Sequence, residues 1–425
     1  MTARKMTARE MLDIFKKIGD NTIGSSVDFN DKELGVYGAI LLAQALETNS
    51  SLETLDIDDS TVGNPGVEAL ASVLKTNSSI RDFTLSRHIR VGYSGIKALA
   101  SALKTNETLL RVVFDKMSIR FASALELGKV LQFNSSITEL VLSYCKINNL
   151  SLCKLAEALK GNTSLKSLNL YHNKFGPTGV KALFDALKDN TTLEELNLKE
   201  NYLGCSGGRV IADGLNKTSI KTLDIGYCFI GDAGATALAE ALKVNTTLTS
   251  LMIDNNKYSY VSLSSLLETL TVNRTLKCLY ANYFIKYNND TVMSTINSNI
   301  NSNHITLVLL LCKILRLNPT FEKMFLPHIE FSNNRLTTLL REIEKHKHIE
   351  EFYYTSKNSK SIVSSKIVSI LEKNKKNKII KSIRSALRQN YFVLALLPEE
   401  MWELIYDYLP YDSLVNFNLA LRLEY

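Results

Sequence analysis

The chain has 425 residues, 45% of them apolar, and a formal net charge of +7. That length holds two or three ordinary domains or one long repeat array, and that apolar share supports a large core. A membrane-spanning helix is excluded: spanning takes about 18 uninterrupted apolar residues, whereas the longest run, ITLVLLLCKIL at 305–315, is short and carries Lys313.

At the N-terminus, MTARKMTAREMLDIF lacks an apolar segment followed by a cleavage site, so no cleaved secretory signal is expected. Residues 6–18 (MTAREMLDIFKKI) read as a capping helix. The cysteines at 145, 153, 205, 228, 278 and 312 form no CxxC pair and read as reduced thiols in a cytosol.

From residue 22 the chain repeats. An L-x-x-L-x-L opening begins at Leu52, Ile80, Leu109, Ile137, Leu165, Leu193, Ile220, Leu248 and Leu276, at spacings of 28, 29, 28, 28, 28, 27, 28 and 28. A weaker first copy uses Val27 and Phe29, which makes about ten copies. Each opening alternates with period two and predicts a short strand. A turn follows, often with two glycines, as in GNPG, GYSG, GPTG and GDAG. Glycine permits positive φ at such turns. A helix such as VKALFDALK comes next, apolar at Val180, Leu183 and Leu187. An asparagine, Asn190 in that copy, closes it; asparagine tolerates the left-handed conformation that ends helices. The recurring N-S-S and N-T-T triplets therefore need no sugar to explain them.

One such unit cannot bury its own apolar face, but stacked units share a continuous core. Each copy places roughly seven apolar side chains inside, at about 1.5–3 kcal/mol gross each. The pattern resembles the leucine-rich repeat family of the long, ribonuclease-inhibitor-like type. The resemblance implies an α/β solenoid, a horseshoe with parallel strands on the concave face and helices on the convex one. It also implies that the ninth repeat position (Cys145, Asn173, Asn201, Cys228, Asn256) bonds the backbone at the turn, so the two cysteines are structural.

Alternate strand residues point to the concave face. Tyr144, His172, Glu200, Tyr227 and Tyr283 stand at the eighth position, and Tyr171 beside them at the seventh. Tyrosines offer contact area at little entropic cost, so these six are the candidate partner-binding residues. The alternative is an ordinary polar concave surface. No phosphate loop, HExxH or zinc spacing occurs, and His346 and His348 do not share a helix face, so no catalytic constellation, metal or cofactor is expected.

Past residue 303 the repeat pattern ends, and apolar segments of helical length predict an all-α C-terminal part. The expected domains are 1–21 (cap), 22–303 (repeats), 304–392 (basic helices) and 393–425 (tail). Between Arg341 and Arg388 there are 13 Lys/Arg and 5 Asp/Glu. Lys373, Lys375, Lys376, Lys378 and Lys381 are the candidates for an anionic partner: RNA, an acidic lipid surface or an acidic protein. A solvated helix face explains them equally, and without interleaved aromatics nucleic acid is not the expected ligand.

The tail LPEEMWELIYDYLPYDSLV (397–415) carries an apolar stripe through Leu397, Met401, Ile405 and Leu409. With Pro398 and Leu414 it resembles an F-box, which implies docking on the Skp-type adaptor of a cullin–RING ubiquitin ligase. A terminal capping helix is the alternative. The composition also looks similar to effector proteins that intracellular pathogens place in host cells. The expected function is non-catalytic recognition of a protein by a cytoplasmic monomer, with ligase adaptor as the sharper form. A GTPase activator of similar repeats is the rival class, although that family ends in an acidic segment and this chain in a basic one.

Overall fold

In the computed structural model, residues 6–30, 32–58, 61–86, 91–281, 307–330, 333–355 and 370–374 are described. They fall into two units, one up to residue 281 and one from residue 307.

The first unit realises the repeat. Each opening becomes a strand because its alternating leucines can be buried on one side only. In Thr54–Ile57, Leu55 and Ile57 are buried while Thr54 and Asp56 stay partly exposed. The strands are β1 (Ser26–Asp28), β2 (Thr54–Ile57), β3 (Asp82–Ser86), β4 (Arg111–Asp115), β5 (Glu139–Val141), β6 (Ser167–Asn169), β7 (Glu195–Asn197), β8 (Thr222–Asp224), β9 (Ser250–Met252) and β10 (Cys278–Tyr280). They pair in parallel and in chain order, with the central residues Leu55, Phe83, Val112, Leu140 and Leu168 stacked in one column.

Helices cover the buried side: α1 (Ala8–Gly19), α2 (Gly35–Leu46), α3 (Gly63–Leu74), α4 (Tyr93–Thr105), α5 (Phe121–Phe133), α6 (Asn149–Leu159), α7 (Pro177–Leu187), α8 (Gly204–Leu215), α9 (Gly231–Val244) and α10 (Tyr260–Thr269). Adjacent strands need about 4.8 Å, whereas packed helices need about 8–10 Å. The helical layer must take the longer arc, so the strand face is concave. Helix α1 opens the stack. Thr7 and Glu10 form a capping box, and Phe15 and Ile18 are buried.

Two ladders of buried side chains hold the turns between layers. In the first, Asn162 Nδ2 donates to Leu131 O of the preceding copy (2.7 Å) and its Oδ1 accepts from Leu165 N (2.8 Å). Asn49, Asn77, Asn106, Asn134, Asn190 and Asn273 do the same, Asn49 reaching Ile18 O of α1. This corrects the expected reason for the asparagine. Asn106, Asn134 and Asn245 are extended, with φ between −72° and −81°. The residue recurs because a carboxamide donates and accepts at once, not because it enters the left-handed region. The second ladder sits at the far end of the strands. Asn173, Asn201 and Asn256 donate to Leu142 O, Leu170 O and Ile225 O at 2.7–3.0 Å. Cys145 and Cys228 take the same place with Sγ on Phe114 O and Leu198 O.

The turn glycines are of three kinds, and Gly92 and Gly176 are extended N-caps with negative φ rather than the expected positive one. Gly63, Gly204 and Gly231 are left-handed, at φ +56° to +61°. The second glycines lie inside helices and serve close packing: a Cβ on Gly208 would stand 2.8 Å from Gly234 Cα.

The second unit overturns the all-α expectation. It contains α11 (307–317), β11 (Lys323–Glu330), α12 (Asn333–Lys345) and β12 (Glu351–Thr355), and β11 pairs with β12 in parallel, Lys323 facing Glu351. The 28-residue period therefore returns. Asn318, His346 and Asn374 are its buried rungs. His346 copies a carboxamide with an imidazole: Nε2–H donates to Asn318 O (2.9 Å) and Nδ1 accepts from Ile349 N (2.9 Å). Asn374 then donates to His346 O. Two features hid these copies. Phe321, Met324 and Tyr354 depart from the residues usual in the openings, and Pro327 interrupts β11. Proline has no N–H for a ladder, and the register skips between Leu326 and Glu330.

Asn162→Ala should cost about 2–4 kcal/mol, because it strands a buried carbonyl and a buried N–H; urea denaturation would read it. His346 gives a pH prediction. Burial holds its pKa below the ordinary histidine value, with His348 adding to the effect and the Asn318 carbonyl opposing it. The unfolded chain takes the proton first as pH falls, so the rung's stability is complete above about pH 6.5 and is lost below it. Exchange protection of the Ile349 amide should fall as pH drops below about 6.5, and His346→Asn should abolish the dependence.

Candidate functional site

The strand-to-helix turns set a row of side chains along one rim of the concave face. At the eighth position of six copies the backbone is left-handed: Lys116, Tyr144, His172, Glu200, Tyr227 and Asn255 have φ of +51° to +58°. Their N–H groups extend the sheet by bonding the next copy, as in Tyr144 N to Tyr171 O and His172 N to Lys199 O. Fixed in this way, each side chain projects at the rim.

Four of the six candidate residues come together there. Tyr144 stacks on His172, with centroids 4.1 Å apart at 29°, and meets Tyr171 edge-on at 5.1 Å. The two tyrosine hydroxyls are 3.1 Å apart. Tyr171 O–H donates to Glu200 Oε1 (2.9 Å), and His172 Nδ1–H donates to Glu200 Oε2 (2.7 Å). Burial raises the Glu200 pKa, but the hydrogen bonds from His172 and Tyr171 outweigh it and hold the carboxyl below its ordinary range. Its anion in turn helps keep the Tyr171 hydroxyl protonated; the hydrogen bond to Tyr144 is the largest cause of that upward shift. Tyr227 stands apart from this cluster, under the Lys199 ammonium at 5.4 Å. Tyr283 lies outside the described residues.

A second cluster escaped the sequence reading. Tyr202 and Phe229, 63% and 46% exposed, stack at 6.5 Å, and Lys257 Nζ lies 4.8 Å from the Phe229 ring. Both aromatics occupy the tenth position, where other copies carry Lys146, Lys174 and Lys257. An aromatic ring at a place that otherwise holds lysine was the available signal.

The strand face below the rim is acidic. At the third, fifth and seventh positions, β1 to β3 present Asp28, Asp56, Asp58 and Asp82. Asp115 and Glu139 follow, then Glu195, Asp224 and Asp254. Arg111, paired to Glu139 at 3.0 Å, and Lys199 are the cations at those positions among the described residues of the first unit.

Burial raises the pKa of the ninth-position thiols, that of Cys228 to about 12, so neither is a ready nucleophile. Among the described residues, no three His, Cys, Asp or Glu side chains are grouped to hold a metal, and no helix is long and apolar enough to cross a membrane. Of the basic candidates Lys373 is described and exposed; Lys375, Lys376, Lys378 and Lys381 lie outside the described residues, as does the whole stretch from Leu397 to Leu414.

A family model described as "Leucine Rich repeat" matches residues 48–71, 161–184, 189–212 and 216–239. Among solved structures, the chain is similar to leiomodin-1 actin-binding site 2 at 15% identity, covering 53% of this chain and 90% of that one, with a TM-score of 0.24. It is also similar to a chain in the yeast Rad7–Elc1 complex at 13% identity, covering 74% and 72%, with a TM-score of 0.46. No curated protein matches the sequence. Neither structural likeness transfers a partner or an activity. The matched segments establish leucine-rich repeats at four places, within a solenoid of parallel strands and outer helices.

Proposed function

We propose that this solenoid is a binding scaffold that recognises a protein through its concave face and aromatic rim. The observation that carries this reading is the character of the left-handed rim positions. A non-glycine residue there costs roughly 1–2 kcal/mol, and asparagine eases the strain, as Asn255 does in this row. Tyr144, His172 and Tyr227 instead keep large rings in that conformation. Strain of this kind gathers at functional sites, and aromatic rings dominate protein interfaces.

The finer proposal is a ligase adaptor. Its support is the sequence order of Leu397, Pro398, Met401, Ile405, Leu409 and Leu414. In that form the tail holds the Skp-type adaptor and the concave face holds the substrate.

Two experiments test these proposals. Tyr144→Asn with Tyr227→Asn should leave the unfolding midpoint unchanged or raised, because asparagine suits positive φ. The same variant should lose, by about tenfold or more, a protein that the wild type captures from lysate and that a helix-face variant (Glu240→Gln) still holds. Equal capture by all three would remove the rim from the interface. For the tail, Leu397→Glu with Ile405→Glu in the full chain should abolish micromolar binding of purified Skp-type adaptor. Absence of binding by the wild type would end the adaptor proposal.

A further inference from the structure

The charge on the concave face runs against that of the whole chain. The chain carries +7, yet in the first unit the third, fifth and seventh strand positions hold nine carboxylates against Arg111 and Lys199. Charges farther away than about 10 Å are largely screened at 0.1 M salt, and a cleft lined by one sign concentrates its own field. A ligand on this face therefore meets a negative surface.

The carboxylates are also crowded. Burial raises the Asp56 pKa, and neighbouring Asp28 and Asp58 add to the rise. Asp224 and Asp254 lean over Gly226 from adjacent copies: a Cβ there would stand 2.8 Å from Asp254 Oδ1 and 3.2 Å from Asp224 Oδ1. Burial is the largest influence on Asp224 and raises its pKa; the Gly226 N–H and Lys199 oppose the rise, while Asp254 and Glu200 add to it. An incoming cation would relieve this repulsion. Exposed Tyr202 at the rim offers a ring face on which lysine or arginine also stacks.

We infer that the concave face takes a lysine- or arginine-rich segment of a protein partner. This rests on the scaffold reading above and gives that partner its chemistry. An anionic or an apolar segment does not fit this face, since its net charge is negative and its strand residues are largely polar.

The test uses the full chain and two short labelled peptides, one lysine/arginine-rich and one glutamate-rich. The face variant is Asp56→Asn, Asp224→Asn, Asp254→Asn. The control is Asp185→Asn, Glu157→Gln, Glu240→Gln, which removes the same charge from the helical side. The basic peptide should bind the wild type in a salt-dependent manner and the face variant about tenfold more weakly. The control should bind as the wild type does. Equal weakening in both variants, or preference for the acidic peptide, overturns the proposal. If the rim variant loses its captured protein while the basic peptide ignores the face, the scaffold stands and its basic partner falls. If the basic peptide reads the face while the rim variant loses nothing, the face alone is the interface and this inference survives.

Discussion

Each copy turns twice between a strand layer and a helix layer, and both turns bury backbone groups that no strand or helix satisfies. A buried N–H or carbonyl without a partner costs about 1–3 kcal/mol, and that cost would recur with every copy. The asparagine ladders answer this constraint. One carboxamide accepts from its own copy and donates to the preceding one, so each rung both closes a turn and joins two repeats. Because the rung spans neighbours, no copy is complete alone. Helix α1 enters the same scheme, since Ile18 O receives the first amide. Where the copy from Leu193 to Ile220 is one residue short, the pattern bends: Asn245 Nδ2 turns to Asn216 Oδ1 at 3.0 Å.

That division of labour leaves the concave face free. The leucine columns and the ladders fix the fold, so the outward strand residues and the rim can vary without loss of core. They vary in a patterned way. The strand positions gather carboxylates, and the rim gathers aromatic rings with lysines laid over Tyr144, Tyr227 and Phe229. Those lysines lie between the rings and the nearby acids: Lys116 Nζ also stands 3.7 Å from Asp115 Oδ2. The rim thus presents apolar area beside a negative floor, which suits a partner that brings both aliphatic stems and cationic ends.

The legible part of this structure was its period. Leucines at fixed spacing gave strand, helix and stack, because burial on one side admits few other solutions. The missed parts have definite causes. The sequence of the second unit reads as all-α because Phe321, Met324 and Tyr354 break the opening pattern. The invariant demand is the rung, and a search for Asn318, His346 and Asn374 at 28-residue intervals recovers the copies. His346 was dismissed as a poor helix-face partner for His348, yet its role is to imitate an amide. At the rim, Tyr144, Tyr171, His172 and Glu200 were named from position alone. Their mutual bonds, and the stack of Tyr202 on Phe229, depend on left-handed backbone that spacing does not reveal.

The left-handed row itself needs a source of stability, because its five residues other than Asn255 would otherwise cost roughly 5–10 kcal/mol. The source is inter-repeat: Lys116 N, Tyr144 N, His172 N, Glu200 N and Tyr227 N each bond a carbonyl of the following copy at 2.9–3.0 Å. The conformation is thus imposed by stacking, whatever side chain it carries. The backbone does not itself require a large ring at that place, and a smaller residue would sit there with less strain. Under the proposed function, the rings at Tyr144 and Tyr227 serve a partner in addition to their contacts with His172, Tyr171 and Lys199. The same reasoning separates them from Phe83 or Phe114, which are fully buried and which packing alone explains.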